Sequence, residues 1–311
     1  MTVATHRSTY PRGVASLGLG SVLGASTNVV FSHVAQAVNP FVVTLCMVTV
    51  SAIVFGVVNR GRRPLLNRDT WRAAIGLNVA SAGAYVCLVV GLKYLEPAVG
   101  TALQAGAAPL MTILVTSLLA RRFTAGPAEW CGGAVILAGS GLLMWVSFTG
   151  RSALGSADTG GTAIGVAAVL VSGLAMVFLT LCAKRLTQLG WSNSAVLAHR
   201  FYFTIACCTG LSIGVDANWS ALVDSAGYLL PFCVIGSGVL LLLQIGIRNV
   251  APFVVMAMTN LNSLLTYVLQ LFDSRLHLSL STLYGIAVVL AGLLWIVVTQ
   301  RRGPRHPPGQ R

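Results

Sequence analysis

The chain has 311 residues, of which 56% are hydrophobic and only 9% charged, and its mean hydropathy is +0.82. Soluble domains carry about a quarter charged residues, so a single water-facing domain, a disordered chain and a disulfide scaffold are excluded. A net charge of +13 would suggest nucleic acid in a soluble protein; here the basic residues sit at the ends of apolar runs, where they set membrane topology, and no nucleic-acid partner is expected.

Ten apolar runs follow one another, at roughly 14–33, 40–58, 73–92, 97–119, 128–148, 162–183, 194–215, 226–246, 252–272 and 280–299. Each is about 20 residues long, enough for one spanning helix at about 1.5 Å per residue. None shows the period-2 alternation of a barrel strand. The first run follows Arg7 and Arg12 and starts like a signal peptide, but it continues through Val29, Val30 and Phe31 without an A-x-A site; it reads as an uncleaved first helix. Turn and charge signals separate the rest, among them Asn59–Arg63, Glu96–Pro97, Arg121–Pro127 and Thr149–Gly161. The segment 300–311 is rich in Arg, Pro and Gly and reads as a disordered cytoplasmic tail. The expected fold is therefore an all-α polytopic membrane protein of ten transmembrane helices.

Orientation follows from Lys and Arg. With the N-terminus inside, the inner segments hold 16 basic residues and the outer loops three, Lys93, Arg151 and Arg275. This predicts both termini in the cytoplasm and a multi-pass protein of the inner, or plasma, membrane.

The chain also repeats. Gly91-Leu-Lys-Tyr-Leu-Glu-Pro97 lies over Gly246-Ile-Arg-Asn-Val-Ala-Pro252, and Ala134-Val-Ile-Leu-Ala-Gly139 over Ala287-Val-Val-Leu-Ala-Gly292. Two five-helix repeats, 14–148 and 162–299, follow. An odd helix count inverts the second copy, the architecture that many secondary transporters use for alternating access.

The stretch Lys93-Tyr-Leu-Glu-Pro-Ala-Val-Gly-Thr-Ala-Leu-Gln-Ala-Gly-Ala-Ala-Pro-Leu-Met-Thr112, with Arg122-Phe-Thr, Glu129-Trp-Cys-Gly132 and Ala138-Gly139 after it, resembles the helix 3–4 signature of the EamA family of the drug/metabolite transporter superfamily. The resemblance implies a ten-helix inner-membrane transporter, usually an exporter of amino acids, metabolites or toxic compounds. It also implies a central cavity lined by helices 3, 4, 8 and 9 with helices 1 and 6. The sequence departs from the family pattern after helix 4, where Arg121 stands in place of Glu, and in helix 2, where Cys46 and Met47 stand in place of an Arg; Arg200 holds the matching place in helix 7.

No catalytic, cofactor or metal motif is legible. The seven cysteines all lie in apolar runs without a CxxC pair, the histidines are scattered, and no Walker loop or nucleophile set occurs. An enzyme is not expected, nor is a metal or a cofactor. Glycines at Gly18, Gly20 and Gly24, and at Gly161 and Gly165, read as close-packing points between helices.

Polar stripes carry the functional signal. Asn78, Ser81 and Tyr85 share one face of helix 3; Gln104 lies on helix 4 with Thr101; Asn260, Ser263, Tyr267 and Gln270 share a face of helix 9; Asn28 pairs with Ser21 on helix 1. Amides are costly against lipid, so these faces turn inward, either as glue between helices or as the lining of a polar cavity. Asn28, Asn78, Ser81, Tyr85, Gln104, Asn260, Ser263 and Tyr267 are the candidate substrate-binding residues. Glu96 and Glu129 read as boundary residues, too shallow to be occluded, which leaves His33 and His199 as titratable candidates. The function expected is a secondary transporter, an exporter or permease for small neutral or zwitterionic organic solutes, by downhill facilitation or histidine coupling at most. The alternative is a non-transport membrane protein, a sensor or assembly partner. The partners expected are a small-molecule substrate, the lipid bilayer and a second copy in a homodimer.

Overall fold

The computed structural model describes residues 4–60, 67–106, 111, 127–154, 158–214, 219–249, 252–273 and 276–302. Every regular element among them is helical: α1 Ala4–Ala37, α2 Pro40–Val58, α3 Arg68–Tyr94, α4 97–106, α5 Pro127–Phe148, α6 Thr159–Gln188, α7 Asn193–Ala198, α8 Tyr202–Gly214, α9 Trp219–Asn249, α10 Pro252–Gln270 and α11 Leu280–Arg302. Seven stretches among the described residues are long and apolar enough to cross a membrane: Pro11–Ala37, Pro40–Val58, Arg68–Tyr94, Trp130–Phe148, Thr159–Gln188, Asn193–Ile213 and Leu229–Asn249. The protein is thus an all-helical, multi-pass membrane protein.

Local chemistry sets the helix ends. Asn39 accepts from Phe41 N, and Pro40 supplies the first position of α2, where a missing N–H costs nothing. Asn67 and Thr70 form a reciprocal capping box at α3, and Asp158 accepts from Gly160 N and Gly161 N at α6. Gly190, at φ 93°, closes the turn after α6, a conformation open chiefly to glycine. The seventh apolar run is not one helix but two: α7 and α8 are separated by His199–Phe201.

Three helix pairs carry the packing: α3 on α6, α5 on α11 and α1 on α9. Glycines set their approach. A Cβ on Gly83 would lie 3.0 Å from Ala175 and one on Gly76 2.9 Å from Cys182; Gly91 faces Val169. On α1, Gly20 faces Leu242 and Gly24 faces Val239, at 3.3 and 3.4 Å. Gly292 lies against the backbone of Gly132 and Ile136, and Gly285 against Leu143. In each pair one residue number falls as the other rises, so each pair is antiparallel. Gly161 and Gly165 pack on Tyr94 and Leu95, whereas Gly18 faces open space. Large apolar side chains such as Ile53, Leu137, Ile164 and Leu294 point outward, which suits a lipid environment and not water.

Candidate functional site

A cavity of about 430 Å³ lies inside the bundle. It is bounded by α1, α3, α4, α6, α9 and α10, with Met47 of α2. These are helices 1, 3, 4, 6, 8 and 9 of the ten apolar runs, the set that the family resemblance implies. Helical spacing explains how each reaches it. Gly24, Thr27, Asn28 and Phe31 share one face of α1, and Val177, Thr180, Leu181 and Lys184 one face of α6. The walls are mostly aliphatic and aromatic, with a few hydroxyls and amides among them. That mixture is typical of small-molecule sites.

Of the candidate residues, the structure brings Asn28, Tyr85 and Gln104 together on the cavity wall. Gln104 Nε2 donates to Ser172 Oγ at 2.7 Å, and Ser172 Oγ donates to Ala84 O at 2.6 Å, so Gln104 also ties α4 to α6. Ser81, Asn78, Tyr267 and Ser263 are not among the residues that line it. Ser81 is buried and donates to Leu77 O of its own helix. Asn78 Nδ2 donates to Ala74 O at 3.0 Å and to His199 O at 2.7 Å, while its Oδ1 accepts from Phe203 N at 3.3 Å. Tyr267 donates to Ser279 O at 2.9 Å. Ser263 is buried, with no hydrogen-bond partner for its hydroxyl. The side chain of Asn260 lies outside the described residues, as does Pro109. On α10 it is Asn262 that reaches the cavity, and its Oδ1 has no hydrogen-bond partner.

Two cations belong to this region that stripe reading did not place there. Lys184, near the end of α6, lines the cavity. Arg200 is 3% exposed and sits in the break between α7 and α8. Its Nη2 donates to Tyr85 Oη at 2.8 Å, and its guanidinium lies 5.3 Å from the Tyr85 ring centroid and 5.0 Å from that of Phe201. The break itself exposes backbone groups. Asn78 answers them with both ends of its amide, the way broken helices in membranes are satisfied. An Arg at a helix centre costs about 2.5–3.5 kcal/mol on insertion scales. A position in protein rather than lipid, over two aromatic faces, offsets part of that cost.

Glu96 also departs from the sequence reading. The boundary residue is fully buried. It accepts from Ala153 N at 2.9 Å, from Thr282 Oγ1 at 2.9 Å and from Gln270 Nε2, while Gln270 Oε1 accepts from Ala98 N. Burial pushes its pKa up, and the three donors oppose the shift. This knot joins the α3–α4 turn, the end of α10, the start of α11 and the segment before α6. Of the histidines, His33 Nδ1 lies 3.6 Å from Asp273 Oδ2, and His199 Nδ1 lies 2.7 Å from Tyr202 Oη. Neither lines the cavity. No group of three or more His, Cys, Asp or Glu able to hold a metal occurs among the described residues.

A helical bundle that carries seven membrane-length apolar segments among the described residues and encloses a cavity defines a polytopic membrane protein. Residues 12–145 match the model of the EamA-like transporter family, in keeping with the motifs of helices 3–5. No curated relative matches. A solved crystal structure of a protein resembles the chain with a TM-score of 0.59 at 18% identity, covering 95% of this chain and 98% of the other; at that identity the likeness speaks to the fold alone.

Proposed function

We propose that the chain is a secondary transporter of small organic solutes, built from two inverted five-helix repeats, 14–148 and 162–299, that alternate access to the central cavity. The observation that carries the reading is the cavity itself, whose walls come from both halves. The pairing of helices supports the repeat. A two-fold swap of the halves exchanges α3–α6 with α9–α1 and returns α5–α11 to itself, and these are the three dominant pairs. Equivalent glycines take equivalent roles: Gly91 seats against α6 and Gly246 against α1, and Gly139 and Gly292 seat across the α5–α11 contact.

The cavity runs toward Lys184, Leu181 and Ile247, the ends of α6 and α9 that the basic-residue bias assigns to the cytoplasm. The Glu96 knot ties the two halves at the opposite end. The geometry favours a state open to the inside, suited to export across the plasma membrane, with both termini cytoplasmic. A solute with an apolar body and a small polar group fits walls of this kind.

The test is counterflow of a panel of neutral and zwitterionic solutes in proteoliposomes of the full chain. Wild-type protein is expected to exchange at least one class faster than protein-free vesicles. Ala105→Trp, which fills the cavity from α4, abolishes that exchange. Undiminished exchange in a well-folded Ala105→Trp protein overturns the reading.

A further inference from the structure

Arg200 is a buried cation for which the described residues supply no anion. Its side chain is almost wholly enclosed, Nε has no hydrogen-bond partner, and no described carboxylate lies within 4 Å. A guanidinium has five N–H donors and no acceptor, and a buried charge without a counter-charge is strongly disfavoured. The aromatic faces of Tyr85 and Phe201 compensate only in part. The 13-residue helix α8 begins two residues later, and the positive end of its dipole adds to the charge instead of neutralising it. Arg200 stands behind Tyr85 and does not itself line the central cavity; Lys184 does, and the residues lining that cavity include no Asp or Glu.

Tyr85 connects this charge to the cavity. Its hydroxyl oxygen accepts from Arg200 Nη2, so its own proton is directed away from the guanidinium. Donation from a cation polarises the O–H and makes it a stronger donor. Tyr85 lines the cavity with Leu88, Val89 and Met47.

We propose that the cavity seats the carboxylate of an apolar-bodied solute against the Tyr85 hydroxyl, with Arg200 behind it as the counter-charge. The seat takes a single carboxylate, carried by an organic acid or a zwitterion: one hydroxyl donor and one guanidinium match one monoanionic group, and the wall beside Tyr85, formed by Met47, Leu88 and Val89, is apolar. The inference rests on the transporter reading for its cavity and goes beyond it in naming the charged group recognised.

Three matched probes test it: 3-phenylpropanoate, 3-phenylpropanamide and 3-phenylpropylamine, titrated calorimetrically into the purified full chain. Wild-type protein is expected to bind the carboxylate about tenfold more tightly than the amide, and the amine most weakly. Tyr85→Phe, nearly isosteric, and Arg200→Gln bring the carboxylate-to-amide ratio toward one, whereas Arg200→Lys retains part of it. A ratio near one in wild type, no binding of the carboxylate, or an unchanged ratio in well-folded Tyr85→Phe overturns the proposal. The two readings fail separately. Equal affinities with protein-dependent flux of the amide leave the transporter standing and sink the carboxylate seat. An intact ratio with no protein-dependent flux of any probe does the reverse.

Discussion

Glu96 completes a buried set of backbone and side-chain partners, and Asn78 a half-buried one. Replacing Glu96 with Ala strands Ala153 N–H, and Thr282 and Gln270 lose their acceptor. A buried donor left unpaired costs about 1–3 kcal/mol, so Glu96→Ala is expected to lower the apparent Tm in detergent, while Glu96→Gln, which keeps an acceptor oxygen, costs less. A Tm unchanged in Glu96→Ala removes the knot from the account of stability. Asn78→Ala opens the α7–α8 break in the same way, since both His199 O and Phe203 N lose their partner. It is expected to destabilise by about 0.5–1.5 kcal/mol and to speed hydrogen exchange in the first turn of α8 more than in α6. Uniform exchange in both helices contradicts this role.

At the level of the element, close helix approach depends on which glycines face a backbone. A Cβ on Gly292 would lie 2.9 Å from Gly132 O and from Ile136 N, atoms that cannot rotate aside, whereas a Cβ on Gly141 meets nothing within 4 Å. Gly292→Ala is expected to cost about 1–3 kcal/mol through overpacking of α5 against α11. Gly141→Ala is expected to be neutral or to gain up to about 1 kcal/mol from helix propensity. Thermal unfolding of the two variants in the same detergent compares them directly; equal effects would remove backbone contact as the cause. The same reasoning explains why Gly18 is unconstrained although it lies two residues from Gly20, which packs on α9.

For the molecule as a whole, the prediction is sidedness. Arg60 and Asp158 are both exposed and fall on opposite sides of the membrane if Arg and Lys set the topology. With the exposed Cys131 replaced by Ser, a membrane-impermeant maleimide applied to intact cells is expected to label Asp158→Cys and not Arg60→Cys. Labelling of both from outside overturns the ten-helix arrangement. A second whole-molecule expectation concerns energy coupling. The residues lining the cavity include no carboxylate or histidine, so an imposed pH gradient is expected not to drive accumulation in proteoliposomes. Accumulation that collapses with the proton gradient in the His33→Ala, His199→Ala double variant would point to another proton carrier, with Glu96 the first to test.

Membrane residence, the helical class and the family resemblance were legible from the chain alone. They depend on run length, hydropathy and basic-residue placement, which are properties of local sequence acting against a uniform solvent. The inward turn of Asn28, Tyr85 and Gln104 was legible for the same reason, since an amide or hydroxyl facing lipid finds no partner. Which polar residues meet a cavity and which meet another helix was not. Asn78 and Tyr85 share a stripe on α3, yet one repairs a broken helix and the other lines the cavity while holding Arg200; on α10, Tyr267 caps Ser279 O while Asn262 reaches the cavity. A helical face spans about 100° of arc, and only the angle at which neighbouring helices cross decides which part of that arc they cover. Glu96 shows the same limit: its neighbours in sequence mark a loop, but its partners Ala153, Gln270 and Thr282 arrive from 57, 174 and 186 residues away, and their convergence exists only once the bundle has closed.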